Sequence, residues 1–425
     1  MNRENYRPRI IDNKIKRYLG IFGAILIEGP KWCGKTWSGA YHSKSALYLA
    51  DPSGNFQNRE LARLSPALVL EGEYPRLIDE WQEVPGLWDG VRFKVDEAGS
   101  KRMFILTGSA TPPREGYLHS GAGRIARLRM RPMSLYESGD SSGKISLFDV
   151  CHGKLESMVT EEVDLQVLID LIIRGGWPQA IGMSALDATA ITTSYIEQVL
   201  AKDISSLDGH RRNPEKMRRL MKSLARNEST TVSSRKIRSD MGEHGGEEID
   251  AKTMDDYLDV LDKLYLLDNQ PPFDINLRSS IRVKQAVKRH FVDPSIAVSL
   301  LGATRKSLLR DLETLGFLFE ALCERDLRIY CESFDARLFH YQDYKDREID
   351  AVIELNDGRW CALEIKLGAH QIDSAAKSLI KLRDEIKREN PEKAPDVLCI
   401  ICGLTRAAYQ REDGVFVVPI TALKA

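Results

Sequence analysis

Three short apolar runs in the first part of the chain each end in glycine or an acid: AILIEG at 24–29, RLIDEWQ at 76–82 and MFILTGSA at 103–110. Runs of that length bounded by turn residues predict buried strands. Between 163 and 199 apolar residues recur at helical spacing, and RGGWPQA at 174–180 interrupts them. Its two glycines and proline predict a turn between helices. IDAKTMDDYLDVLDKLYLLDNQP at 249–271 predicts a longer amphipathic helix followed by a turn. The last part begins with an amphipathic helix, DLETLGFLFEALCERDLRIY at 311–330. Two strands follow, REIDAVIEL at 347–355 and RWCALEIKLG at 359–368, joined by the hairpin signal Asn356, Asp357, Gly358. A helix over about 372–389 and strands at VLCIICGL and GVFVVPI complete the pattern.

At 425 residues the chain exceeds the usual reach of one core, which predicts several domains. We place them at 1–139, 140–299 and 300–425, the stretch SGDSSGKISLFDVCHGKL at 138–155 reading as a surface insertion or linker. Apolar residues at 43% and charged residues at 29% are those of a globular protein. A formal charge of -1 gives no global case for nucleic acid or an anionic membrane. No run of about 18 uncharged apolar residues occurs, and the polar start lacks a signal-peptide core; the expectation is a cytoplasmic protein without a membrane partner. Seven cysteines without regular spacing argue against a disulfide framework, and Cys399 and Cys402 lie in an apolar run that predicts buried thiols.

The first strand leads into Gly29, Pro30, Lys31, Trp32, Cys33, Gly34, Lys35 and Thr36, the GxxxxGK[ST] pattern of a phosphate-binding loop. Its glycines let successive backbone N–H groups turn toward phosphates. Lys35 would meet the terminal phosphates and Thr36 would place its hydroxyl on Mg2+. At the end of the second strand, Asp79 would join the magnesium shell and Glu80 would polarise the attacking water. Ser109, after the third, stands where a hydroxyl senses the terminal phosphate. Arg124 would neutralise charge during phosphoryl transfer, from its own or a neighbouring subunit; Arg127, Arg129 and Arg131 compete on spacing alone.

The segments IEGPKWCGKT, LIDEWQEVPGLWDGVR, FILTGSA, GRIARLRMRPMSLYE and IIRGGWPQA together resemble a family of prokaryotic AAA-type ATPases whose C-terminal region has no well-assigned function. The resemblance spans almost the whole chain. It implies ATP rather than GTP as the nucleotide and matches Lys35 and Thr36 to nucleotide binding, Asp79 and Glu80 to the two acids, Ser109 to the polar residue after the third strand, and Arg124 to the arginine of a G-R motif. Trp32, Cys33 and Trp37 depart from it, being larger or less polar than the family's usual residues.

Residues 211–238 hold ten Lys or Arg against two acids, and 278–289 hold five Lys or Arg and no acid. TTVSSRKIRSDM, followed by the long helix, is compatible with a winged-helix element that would touch DNA, or join proteins. In the last part, Glu364 and Lys366 share one face of a strand, and Asp350 on the neighbouring strand would join them. With Glu320 from the preceding helix they would form a second metal site for phosphodiester cleavage. This D…ExK order resembles the restriction-endonuclease-like fold. The expected architecture is therefore α/β: a P-loop AAA-type ATPase domain, a helical or winged-helix middle and a restriction-endonuclease-like end. The expected function is a magnesium-dependent ATPase coupled to DNA or a protein partner, with self-assembly if Arg124 acts from a neighbour. The alternatives are a nucleotide-controlled nuclease and a non-catalytic interaction switch.

Overall fold

The computed structural model describes residues 3–111, 118–207, 209–243, 249–274, 286–343 and 347–425. The chain divides into two compact units: Met1–Pro132 with Val199–Arg212 and Asp256–Leu266, and Met133–Gln198 with Asn213–Asp255 and Leu267–Ala425. The stretch 140–299 is thus shared between the two, because two short segments of it pack with the N-terminal part.

In the first unit, β1 (Ala24–Glu28), β2 (Ser45–Tyr48), β3 (Arg76–Asp79), β4 (Phe104–Gly108) and β5 (Ile125–Arg129) form a parallel sheet ordered β2-β3-β4-β1-β5. The three apolar runs become β1, β3 and β4. Both faces are covered, as a parallel sheet requires. Ala24 and Leu26 point into a core with Leu106, Trp81, Trp88 and helix Leu87–Ala98, whereas Ile25 and Ile27 join Leu77, Ile105, Leu128 and helix Ile11–Leu19. Each isoleucine fully buried here contributes roughly 2 kcal/mol relative to an exposed one.

The second unit holds a mixed sheet. Strands β7 (Met158–Val159), β8 (Arg337–Gln342), β9 (Glu348–Glu354), β10 (Trp360–Gly368), β11 (Val397–Leu404), β12 (Ala407–Gln410) and β13 (Phe416–Pro419) are ordered β7-β12-β13-β11-β10-β9-β8. The hairpin signal is realised: β9 and β10 pair antiparallel around Gly358, whose φ of 87° suits glycine. Helix Ile372–Glu389 covers the face of Val352, Ala362, Leu398 and Ile400. Cys399 and Cys402 lie buried in β11, and all seven cysteines are free and buried.

The linker expected at 138–155 is instead folded. Its Ile145–Ser146 strand (β6) pairs with the last strand, Leu423–Lys424 (β14), and Leu147, Val150 and Cys151 in helix Leu147–Cys151 are buried. Polar residues at both ends hid a short apolar triplet between them. The turn expected at RGGWPQA is present and tightly packed. A Cβ on Gly176 would lie 2.0 Å from the Met133 carbonyl oxygen. Gly176 N–H donates to Asp293 at 2.9 Å, and Trp177 Nε1 donates to Ser295 Oγ at 3.0 Å.

Helices Pro214–Arg226, Ser234–Glu243 and Ala251–Lys263 follow in the middle. Bridges pair Thr230 with Arg289, Leu267 with Phe291 and Gln270 with Lys288. Most of the second basic stretch, 278–285, lies outside the described residues.

Candidate functional site

The glycine loop leaves β1 at the C-terminal edge of the parallel sheet, the edge where open α/β sheets bind ligands. Gly29 is fixed there by space: a Cβ would lie 2.1 Å from the Met130 carbonyl oxygen. Gly34 is fixed by conformation, with φ 107° directly before helix Lys35–His42. The first turn of that helix turns its N–H groups toward the loop, which favours an anion. Lys35 is 4% exposed, and its ammonium donates to the Pro30 carbonyl oxygen at 2.7 Å across the loop. Lys31 Nζ donates to Asp203 Oδ1 at 2.6 Å. Cys33 is buried against the Met130 carbonyl, whereas Trp32 and Trp37 are 40% and 38% exposed.

The acids of β3 reach the same edge. Asp79 accepts a hydrogen bond from Thr107 Oγ1 at 2.6 Å, and the Thr36 hydroxyl nearby also favours its charged form. Burial raises its pKa above the ordinary carboxylate value, these hydroxyls pull it back, and neighbouring Glu80 adds to the rise. Glu80 takes a left-handed backbone with φ 57°, costly for a residue with a side chain and typical of functional positions. Its N–H donates to Thr107 Oγ1 at 3.1 Å, and its Oε2 accepts from Ser109 Oγ at 2.8 Å and from Gln82 Nε2. Ser109 therefore touches the acid that the sequence assigns to water. Gln82 escaped sequence reading, since nothing in EWQ says that the third residue folds back on the first.

Arg124 stands apart from this group. Its carbonyl accepts from Ala24 N–H, and Ile125 pairs with Ala24, so it lies where the strands begin. The loop follows Glu28, where they end; roughly 15 Å of strand separates the two. Its guanidinium is held by Asp96 at 2.7 Å. Of the competing arginines, Arg129 pairs in register with Glu28 at the loop's end of the sheet, and its guanidinium lies 4.8 Å from the centre of the Tyr265 ring. Tyr265 donates to Glu28 Oε2 at 3.0 Å.

In the second unit the four residues of the D…ExK set do converge. Asp350 Oδ2 accepts from Ile365 N–H at 2.8 Å and from Lys366 Nζ at 3.0 Å, and Lys366 Nζ lies 2.5 Å from Glu364 Oε2. Glu320 joins them through a residue that the sequence had placed in a basic patch: Lys288, whose Nζ lies 2.5 Å from Glu320 Oε1. Burial together with Asp350 pushes Glu364 up to about 8 against the pull of Lys366. Burial also pushes Glu320 up to about 8, opposed by Lys288. Asp350 moves the other way, since Lys288 and Lys366 overcome its burial.

The basic stretch 211–238 is partly consumed within the chain. Arg212 pairs with Asp256 at 2.8 Å, Arg218 with Glu197 at 2.6 Å and Arg226 with Asp240 at 2.5 Å, and Arg238 donates to the Ile249 carbonyl. Arg235 and Lys236 are exposed. Helix Ala251–Lys263 carries four aspartates against two lysines, a charge that phosphate backbones repel.

Residues 22–139 match the AAA domain family. The N-terminal part is therefore AAA-ATPase-like. Residues 165–307 and 315–423 match two domains of unknown function, DUF8612 and DUF4143. An uncharacterized protein of Mycobacterium tuberculosis and one of Mycobacterium bovis are each 25% identical to this chain over 357 residues, 83% of this chain and 72% of theirs. Among solved structures, the Walker-type ATPase PABY2304 of Pyrococcus abyssi aligns with a TM-score of 0.42 at 14% identity, covering 70% of this chain and 97% of its own. The FIGL-1 AAA domain in complex with ADP aligns at 0.25 with 13% identity, covering 61% and 85%. Among the described residues no helix is long and apolar enough to cross a membrane.

Proposed function

We propose that this protein binds ATP in the loop of residues 29–36 and hydrolyses its terminal phosphate. The observation that carries the reading is the meeting, at one sheet edge, of a glycine loop ending in Lys35 and Thr36 with the hydrogen-bonded acids Asp79 and Glu80. Lys35 would exchange the neutral Pro30 carbonyl for phosphate oxygens, a stronger, charge-assisted acceptor. Gly29, Pro30, Lys31, Trp32, Cys33 and Gly34 would wrap the phosphates with backbone N–H groups. Thr36 and Asp79 would hold Mg2+, which when bound neutralises charge on the phosphates. They fit that task, since a hydroxyl and a carboxylate stand together beside the loop, the hydroxyl favouring the charged carboxylate. Glu80, oriented by Ser109 and Gln82, would take the proton of the attacking water.

Arg124 would contribute from a second copy, because its own sheet separates it from its own loop. That part of the reading predicts partial recovery of turnover when Arg124→Ala chains are mixed with Lys35→Ala chains. Full activity of Arg124→Ala alone would remove the arginine from the mechanism.

The test is phosphate release from ATP by the purified chain, with and without DNA, with Lys35→Ala as control. Tryptophan fluorescence from Trp32 and Trp37 reports binding separately. Turnover in the wild type and none in the variant is expected. Binding without any turnover would leave an interaction switch, and no binding at all would sink the proposal. Cleavage of DNA would bring back the nuclease alternative.

A further inference from the structure

Lys288 is the most deeply buried ammonium among the described residues, at 1% exposure. Its backbone is pinned on both sides: its N–H donates to the Gln270 carbonyl and its own carbonyl accepts from Gln270 N–H, each at 2.9 Å. The side chain ends among carboxylates. Its Nζ lies 2.5 Å from Glu320 Oε1, 3.3 Å from Glu348 Oε1 and 3.8 Å from Asp350 Oδ1. These acids come from separate elements, Glu320 from helix Leu312–Ser333 and the other two from β9. Asp350 is divided between two ammoniums, with Oδ1 toward Lys288 and Oδ2 toward Lys366.

A buried lysine stays charged only beside an anion, and Asp350, whose pKa Lys288 and Lys366 lower, supplies one. Burial disfavours the ammonium, but Glu320, Asp350 and Glu348 together hold its pKa above the ordinary lysine value. Its contact with Glu320 Oε1, at 2.5 Å, is an ion pair. A divalent cation would need the same oxygens in its coordination shell and would meet a positive charge already seated among them. Consistently, among the described residues no group of three or more acid, histidine or cysteine side chains is arranged to hold a metal ion.

We propose that Lys288 is the resident cation of the Glu320, Asp350, Glu364 and Lys366 cluster: its ammonium takes the place of a divalent ion, and the two are mutually exclusive occupants. While Lys288 is seated, the D…ExK residues are neutralised from within the chain and closed to Mg2+ or Mn2+. The inference rests on the second unit alone and stands or falls independently of ATP hydrolysis.

The test uses the full chain without nucleotide and counts bound Mn2+ by electron paramagnetic resonance of the free ion. Comparison with Asp350→Asn assigns ions to this cluster and subtracts any held elsewhere. The wild type is expected to show no Asp350-dependent Mn2+ site. Lys288→Gln and Lys288→Met are each expected to gain one, and to lose it again when Asp350→Asn is added. Folded Lys288 variants that gain no ion would overturn the proposal. So would an Asp350-dependent Mn2+ site in the wild type, a result that needs no variant at position 288 to fold.

Discussion

The two polar clusters of this protein use similar residues, lysines beside carboxylates, and arrive at opposite electrostatic states. In the N-terminal unit Lys35 and the two acids rest on neutral groups. Lys35 donates to a carbonyl oxygen and Asp79 and Glu80 accept from hydroxyl and amide donors, while Lys31 pairs with Asp203 at the loop's margin. A charged ligand can replace those neutral partners. In the second unit each ammonium is spent on carboxylates: Lys366 on Asp350 and Glu364, Lys288 on Glu320, Glu348 and Asp350. Neutral partners leave a lysine available to a phosphate, whereas buried anionic partners make it part of the fold.

The comparison breaks most visibly at Glu80. Glu80→Gln keeps the side chain's size and removes the proton acceptor, so ATP turnover should fall by about 10²- to 10⁴-fold while nucleotide affinity changes little. Equal turnover in steady-state assays would reject Glu80 as the base. Lys35→Ala removes the one ammonium buried in the loop. Loss of a charge-assisted contact of roughly 3 kcal/mol should weaken ATP binding by about 100-fold in a fluorescence titration. A change below threefold would show that this lysine belongs to the fold, as Lys288 does.

Ser109 sharpens the contrast within the N-terminal unit. If its hydroxyl orients Glu80, Ser109→Ala should lower kcat by roughly tenfold, the cost of about 1.4 kcal/mol for one hydrogen bond, with KM unchanged. If it contacts the terminal phosphate instead, KM should rise as well. The sequence already carried the strands, the loop and both acids, because strand periodicity and glycine spacing are local signals. It carried the D…ExK set for the same reason, as Glu364 and Asp350 continue the register in which Ala362 pairs with Val352. What it could not carry were partners brought in by folding. Gln82 meets Glu80 through a left-handed turn, Asp203 reaches Lys31 from far along the chain, and Lys288 looked like surface charge among its basic neighbours. Arg124 failed to join the loop for the converse reason: spacing along a strand does not say which end of the sheet a residue occupies.

The smallest expected effect concerns the second cluster and pH. Glu320 and Glu364, each held at about 8 by burial, bind a proton more tightly in the folded chain than an ordinary glutamate does unfolded. Between the usual glutamate value and about pH 8 the native chain keeps protons that the unfolded chain has released, so stability falls as pH rises through that window. Buried His340 and His290 act oppositely. Burial lowers both, His340 to about 4, so their contribution grows with pH only until the ordinary histidine value of about 6.5 is passed. Above about pH 7 the histidines no longer contribute to the slope, and Glu320 and Glu364 share it with Glu228, whose pKa burial also raises. Glu320→Gln places a neutral amide where the protonated acid stood, so the decline in melting temperature over that interval should flatten by about one to two degrees, on the order of 1 kcal/mol. An unchanged slope would show that Glu320 is ionised below pH 7 and would remove it from the groups that set this pH dependence.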